Sequence, residues 1–187
     1  MKLKMVALSA LFVSSAVFAG SATVEYQDID GKKNTPQDQT NWSVTVKETL
    51  TKGLVGDLAL SQTNNKVAGP DTLASTRTEG GLTASTTLGA LTPYVRGAVG
   101  YKYTSANNFS YYSVEPGASV GLGGGFTAKL GWRYREAFSD ANNDTTRTLR
   151  AGVAYDLTKT DQVGVRYDRM RGDTNQNIVA VNYTRSF

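Results

Sequence analysis

The sequence of 187 residues has no cysteine and no histidine. Without cysteine, the chain cannot be a secreted mini-domain held together by disulfides. Without histidine, Ser-His-Asp hydrolysis, imidazole zinc sites and histidine proton shuttles are excluded together. The sequence therefore does not indicate an enzyme, and we expect the protein to need no cofactor and no metal.

Long hydrophobic runs are absent from residues 20–187. No segment in that range is long and apolar enough for a transmembrane helix. Helical periodicity is absent as well. The formal charge is +4, and two of the lysines lie in the N-terminal segment. This small excess argues against nucleic acid as a partner, because such binding requires a dense basic patch. The frequent Thr, Tyr, Val, Gly and Asn residues favour strands and turns.

The N-terminal segment, residues 1–19, has the features of a bacterial secretory signal peptide. Lys2 and Lys4 form a basic start, an apolar run follows, and small residues precede the expected cleavage after Ala19. The apolar run is too short for a retained membrane anchor. We therefore predict a signal peptide at 1–19 and a single exported domain at 20–187.

Strand-like alternation is clear in GFTAKLGWRYREAF, from Gly125 to Phe138. Apolar residues alternate there with polar and basic ones, so a strand would place the two sets on opposite faces. The pattern recurs along the chain and predicts about ten strands, with eight or twelve also compatible. The predicted strands are Ala22–Asp28, Asn41–Leu50, Leu54–Gln62, Thr76–Thr87, Pro93–Tyr103, Tyr111–Leu122, Phe126–Phe138, Thr146–Leu157, Gln162–Arg169 and Ile178–Phe187.

The predicted connections alternate in length, which is typical of an outer-membrane β-barrel. Tight turns such as Thr51-Lys52-Gly53 alternate with polar loops such as DGKKNTPQDQT and TNNKVAGPDTLAS. A soluble sandwich would show similar alternation within strands, but the export signal and the last strand favour the barrel. That strand, IVAVNYTRSF, ends in Phe187 and resembles the C-terminal signature that the barrel-insertion machinery reads.

The predicted fold class is therefore all-β, a transmembrane antiparallel up-and-down barrel in the outer membrane. An even strand number with a periplasmic start places both termini in the periplasm. We expect a monomer whose partners are outer-membrane lipid, lipopolysaccharide and, through Phe187, the insertion machinery.

The two side-chain parities of the strands differ in polarity. The apolar parity must face lipid, and the opposite parity must face the lumen. The lumen parity carries nine basic residues (Lys47, Arg77, Arg96, Lys102, Lys129, Arg133, Arg135, Arg150 and Arg166) and six acidic ones (Glu25, Asp57, Glu79, Glu115, Asp156 and Asp168). Of these we predict Arg133, Arg135, Arg150, Arg166, Lys129 and Arg96 as pore-lining groups that attract anions, with Glu115, Asp156 and Asp168 as their acidic partners.

Two finer predictions concern single positions. If the SDANND hairpin is symmetric, Arg133 lies opposite Arg150, and Arg150 lies diagonal to Asp168 in the next hairpin. Facing arginines repel each other, so either Glu115 and Asp168 neutralise them in a packed interior or they bind an anionic solute. Pro116 interrupts a strand and predicts a β-bulge there.

The segment YYSVEPGASVGLGGGFTAKLGWRYREAF carries a family resemblance. Glu115-Pro116-Gly117, Arg133-Tyr134-Arg135 and the final segment from Tyr183 to Phe187 resemble the small monomeric oligogalacturonate porins, which are specific for acidic oligosaccharides. The resemblance covers about the last 80 residues and implies a narrow channel lined by arginines that attract sugar carboxylates. Arg133, Arg135, Arg150 and Arg166 are the matching positions. That family has twelve strands, whereas this sequence predicts ten.

Three classes of function follow from this fold. The first is a channel for passive diffusion of small, preferably anionic solutes, which the charged lumen favours. The second is a non-conducting structural or surface-binding barrel that acts through its loops. The third is an outer-membrane enzyme, which the absence of histidine disfavours.

Overall fold

The computed structural model describes residues 20–31, 38–66, 72–104, 107–142 and 144–187. The predicted signal peptide therefore lies outside the described residues. Within them the chain forms ten β-strands and one short 3-10 helix, Asp140–Asn142. The strands are β1 (Gly20–Gly31), β2 (Gln39–Thr51), β3 (Leu54–Asn65), β4 (Thr72–Ser85), β5 (Leu91–Thr104), β6 (Asn108–Gly123), β7 (Phe126–Ala137), β8 (Thr146–Asp156), β9 (Asp161–Gly172) and β10 (Gln176–Ser186).

The strands close into one antiparallel barrel in which each strand pairs with its neighbours in sequence. β1 and β10 complete the ring, and their register runs from Ser21 opposite Ser186 to Gly31 opposite Gln176. The predicted ten-stranded up-and-down barrel is thus confirmed. In the part of the chain that the structure describes, there is no helix long and apolar enough to cross a membrane.

The strands are longer than the sequence predicts at several ends. β6 has 16 residues and β4 and β5 have 14 each, more than the roughly 9–11 that a tilted strand needs to cross a bilayer. Tight turns end them where glycine supplies the backbone geometry. Between β6 and β7, Gly123, Gly124 and Gly125 all have positive φ, a conformation that a Cβ atom disfavours.

The two ends of the barrel differ in their connections. One end holds both termini and the connections after β2, β4, β6 and β8, of which the shortest are two residues long. We call it the short-turn end. The other end, the loop end, holds the connections after β1, β3, β5, β7 and β9, and the β7–β8 connection contains the 3-10 helix.

The outer surface of the barrel is apolar, as the sequence pattern predicts. Its exposed side chains include Trp42, Leu58, Leu60, Val95, Val99, Val114, Leu130, Trp132, Leu149, Val153, Val165, Tyr167, Val179 and Val181. Aromatic pairs lie toward both ends of the strands: Tyr26 with Trp42 toward the loop end, and Phe126 with Tyr155 at the short-turn end, each 4.7 Å apart between ring centroids. This arrangement matches the aromatic belts of membrane barrels.

The inward-facing side chains are packed unevenly along the barrel. Toward the loop end they are almost fully enclosed: Tyr111 is 1% exposed, and Ser113 and Thr146 are 2% exposed. Toward the short-turn end, the inward-facing Lys47 and Lys129 are exposed. The lumen is therefore filled at one end and accessible at the other.

The bulge predicted at Pro116 is wrong. Pro116 pairs with Val95 of β5 in an unbroken register. On the β7 side, Val114 opposite Tyr134 and Gly117 opposite Gly131 keep the same register. Proline has no N–H to give to the ladder, and here it occupies one position of the strand without an extra residue being inserted.

Candidate functional site in the barrel lumen

Charged side chains meet across the lumen between strands that are not neighbours. Arg133 on β7 bonds Glu79 on β4, three strands away, and Arg96 on β5 bonds Asp57 on β3. Such contacts can form only through the barrel interior. The alternate residues that the sequence predicts to face the lumen are therefore the ones whose charged side chains lie inside the barrel.

The first group of contacts centres on Glu79. Its Oε1 accepts a hydrogen bond from Arg96 Nη1 at 2.8 Å, and its Oε2 accepts one from the Tyr111 hydroxyl at 2.9 Å and another from Arg133. Arg96 also donates from Nε to Asp57 Oδ1 at 2.9 Å. All four charged side chains are at most 17% exposed, so this network is fixed inside the barrel.

The second group is a chain of ion pairs that crosses the strands from β6 to β1. Arg150 Nη1 donates to Glu115 at 2.7 Å, and its Nε lies 3.7 Å from Asp168. Arg166 then bridges Asp168, at 2.8 Å, and Glu25, at 2.7 Å. Each charge in the chain touches an opposite charge, which offsets much of the cost of removing it from water.

The third group lies toward the loop end, around Asp144 of the β7–β8 connection. Asp144 Oδ1 accepts from Arg135 Nη2 at 2.8 Å and lies 3.5 Å from Lys102 Nζ. Arg77 is directly opposite Lys102 in the β4–β5 register. The carboxylate is 4% exposed, so this loop residue belongs to the interior and raises the acidic lumen residues to seven against nine basic ones.

Lys47 and Lys129 face the accessible part of the lumen without an ion pair to any carboxylate in the described part of the chain. Lys129 Nζ lies 4.5 Å from the centre of the Tyr94 ring, a distance at which the ring face attracts a cation. The Tyr94 hydroxyl donates to Glu115 at 3.0 Å. Arg77 likewise makes no ion pair among the described residues, but it lies toward the enclosed loop end, opposite Lys102, whereas the two lysines face the accessible part of the lumen.

The predicted pairing of Arg133 with Arg150 is wrong. Arg133 lies opposite Thr148, and Arg150 lies opposite Gly131. Arg150 is also directly opposite Asp168, rather than diagonal to it. The β7–β8 connection offsets the two strands by two residues from the symmetric arrangement, which preserves the face of each side chain but changes its partner.

The other predicted site residues divide between the networks and the short-turn end. Arg96, Arg133, Arg135, Arg150, Arg166, Glu115 and Asp168 are in the ion-paired networks, and Lys129 lies outside them. Asp156 is exposed at the end of β8, where it accepts from Gln162 at 2.7 Å and makes no ion pair with an arginine among the described residues.

The sequence prediction missed three residues of the interior. Asp144 lies in a loop, where no alternation identifies its direction. Tyr94 and Tyr111 are on the inward parity but were not predicted to bind carboxylates, and their hydroxyls donate to Glu115 and Glu79. Their inward parity is the signal that identifies them, because a phenol in a barrel interior needs a hydrogen-bond acceptor.

Comparisons with known proteins identify relatives in structure alone. No protein-family model and no curated protein matches the sequence. An outer membrane channel from Pseudomonas putida superimposes with a TM-score of 0.59 at 12% identity, covering 92% of this chain and 97% of that one. The KdgM porin in complex with disordered oligogalacturonate gives a TM-score of 0.54 at 11% identity, covering 89% of this chain and 99% of that one.

The chain spans 62% of the length of a loop deletion mutant of OmpT, an outer membrane protein of Vibrio cholerae, with a TM-score of 0.45 and 14% identity. At these identities the similarity establishes the fold. The protein has the porin-like β-barrel of outer-membrane proteins, and the two neighbours with the higher scores are described as a channel and a porin.

Proposed function

We propose that the protein is an outer-membrane channel through which small solutes, preferably anions, diffuse passively. The closed barrel encloses a lumen lined by charged and polar groups, which is accessible from the short-turn end and filled toward the loop end. Fixed charge in a narrow pore raises the local concentration of ions of the opposite sign. Arg96, Lys129, Arg133, Arg135, Arg150 and Arg166 are the proposed pore-lining cations, together with Lys47.

The observation that carries the anion preference is that, among the described residues, Lys47 and Lys129 make no ion pair with a carboxylate and face the accessible part of the lumen. Within the described residues, every lumen arginine except Arg77 makes an ion pair with a carboxylate, so their fields are largely offset. The two lysines instead face the accessible part of the lumen without such a partner among the described residues. An anion that enters from the short-turn end meets them first.

The proposal includes an orientation and partners. Both termini and the short-turn end lie in the periplasm, and the loop end faces the outside of the cell. Phe187 is the residue that the insertion machinery reads, and the monomeric barrel is surrounded by outer-membrane lipid and lipopolysaccharide. The resemblance to porins for acidic oligosaccharides makes galacturonate a suitable probe solute.

Planar bilayer recordings test this function. We expect discrete conductance steps and, in a KCl gradient, a reversal potential with the sign of an anion-selective pore. Replacing both lysines (Lys47→Gln with Lys129→Gln) should remove most of that selectivity. The matched control replaces Lys52 and Lys159 with glutamine, since these lysines lie in turns outside the lumen. A cation-selective wild type, or a lumen variant that behaves like the control, would contradict the proposal.

A second candidate function, a non-conducting barrel that acts through its loops, has support from the filled loop end of the lumen. Ser113, Arg135, Asp144 and Thr146 are each at most 5% exposed, so solute passage requires their displacement. A correctly folded protein that gives no conductance steps would favour this candidate over the channel.

A further inference from the structure

Three arginines stand on the lipid-facing parity at the loop end of β8 and β9. Arg147 is the second residue of β8, while Arg169 and Arg171 are near the end of β9. Arg147 and Arg169 are exposed, whereas the intervening parity, represented by Thr148 and Asp168, is buried. We call Arg147, Arg169 and Arg171 the outer arginine patch.

The patch concentrates like charges. Arg147 lies directly opposite Arg171 in the β8–β9 register, and facing like charges on adjacent strands destabilise the pair. Arg171 donates to two backbone carbonyls, those of Met170 at 2.6 Å and Gln176 at 3.4 Å. In the described ranges, no member of the patch makes an ion pair with a carboxylate.

The nearby carboxylates are engaged elsewhere. Glu136 accepts hydrogen bonds from the hydroxyls of Tyr112 and Tyr134, and Asp173 accepts one from the backbone N–H of Thr145 at 2.7 Å. These carboxylates keep their negative charge, as does Asp30, which lies two strands from Arg169 across Asn177, but among the described residues none of them forms an ion pair with an arginine of the patch. An anion from outside the chain would offset the charge of the patch.

The surroundings of the patch specify what kind of anion can reach it. Leu149 lies directly opposite Arg169, Tyr167 precedes it by two residues on the same face, and both side chains are exposed to lipid. Tyr134 lies opposite Arg147 at the level of the aromatic belt. A ligand of the patch must therefore place apolar chains toward the belt and its negative charge toward the loop end.

We propose that the outer arginine patch binds the phosphate groups of a phosphorylated glycolipid of the outer leaflet, the lipid A part of lipopolysaccharide. Guanidinium groups bind phosphate through paired, charge-assisted hydrogen bonds, and basic residues at a membrane surface attract anionic headgroups. This inference rests on the proposed orientation, in which the loop end faces the outside of the cell. It does not depend on whether the barrel conducts.

Binding of lipid A to the purified, folded protein in detergent micelles tests the proposal. The variant Arg147→Gln, Arg169→Gln, Arg171→Gln should bind bisphosphorylated lipid A about a hundredfold more weakly than wild type, since each basic residue near a membrane surface contributes about fivefold. The matched control replaces three basic residues of the short-turn end (Lys52→Gln, Lys159→Gln, Arg185→Gln) and should stay within about twofold of wild type.

Two further ligands separate the sources of phosphate. Lipid A from which both phosphates have been removed should bind wild type and the patch variant equally weakly, and inorganic phosphate at the same concentration should not compete. Equal losses in the two triple variants, undiminished binding of the dephosphorylated lipid, or competition by inorganic phosphate would each overturn the proposal. If the triple variant does not fold, Arg147→Gln with Arg171→Gln must still weaken binding about twentyfold, and an unchanged affinity would overturn the proposal equally.

Discussion

Replacing Glu79 with glutamine should destabilise the barrel strongly. Glu79 accepts hydrogen bonds from Arg96, Arg133 and Tyr111. Arg96 would keep its bonds to Asp57. Arg133 would lose the carboxylate that, within the described residues, is its ion-pair partner, and its guanidinium would remain inside the barrel without a neutralising charge.

The size of the effect follows from the burial of this pair. The side chains of Arg133 and Glu79 are 12% and 11% exposed, so the pair behaves as a largely buried one. Removing one member of a buried ion pair costs about 3–5 kcal/mol because the other charge stays unpaired. Since the lumen holds polar neighbours, we expect the lower part of this range, about 3 kcal/mol of the free energy of unfolding.

Urea unfolding of the protein in lipid vesicles, followed by tryptophan fluorescence, measures this free energy. Trp42 and Trp132 are the two tryptophans of the chain, and both lie on the exposed outer surface. Glu136→Gln is the matched control, because Glu136 accepts hydrogen bonds from two tyrosine hydroxyls outside the lumen. It should cost less than about 1 kcal/mol, as expected for a lost hydrogen bond with little burial.

A double variant decides whether the ion pair is the cause. Replacing both partners (Glu79→Gln with Arg133→Met) removes the unpaired charge and should recover most of the lost stability, because the loss of both members of a buried pair is often close to neutral. The reasoning would be refuted if Glu79→Gln were no less stable than Glu136→Gln, or if the double variant were less stable than Glu79→Gln alone.

Two other predictions concern access to the barrel. A Ser113→Cys variant should react with a negatively charged thiol reagent about tenfold faster when Asp144 is also replaced by asparagine. The reason is that the buried Asp144 carboxylate offsets the cations of the loop end. Unchanged rates, or the same acceleration with the loop variant Asp38→Asn, would count against this prediction. Trypsin added to intact cells should cleave the chain at Lys66, in a loop-end connection, and not at Lys52, in a short turn. Mass spectrometry of the fragments identifies the cleavage site. Cleavage at Lys52 would reverse the proposed orientation.

The fold was largely predictable from the sequence because the side chains of a strand alternate between its two faces, and this alternation is visible in the order of apolar and polar residues. Trp132 and Arg133 already reveal the two faces of β7, and the structure places Trp132 on the exposed outer surface and Arg133 in the lumen. Lipid on one side and a polar interior on the other make this alternation nearly obligatory in a membrane barrel. Strand number followed from the turn signals, such as the three glycines at 123–125.

The contacts of the site were less predictable because they depend on register and on loops. An offset of two residues between β7 and β8 leaves every side chain on its face but gives Arg133 the partner Thr148 instead of Arg150. Asp144 enters the lumen from a connection without periodicity. The pairing of Glu79 with Arg133 joins strands three apart, which no local pattern in the sequence can indicate.

The pairing of β1 with β10 has a consequence for how the barrel assembles. Nine of the ten strand pairings join consecutive strands and can form as local hairpins, whereas this one joins residues such as Ser21 and Ser186 from opposite ends of the domain. Contacts between distant residues form slowly, because the entropy of closing a long loop must be overcome first. Until closure, β1 and β10 each present a row of unpaired backbone groups, which hydrocarbon does not tolerate. Ring closure should therefore be the late, cooperative event of assembly, and the membrane-inserted state should be populated only as a complete ring.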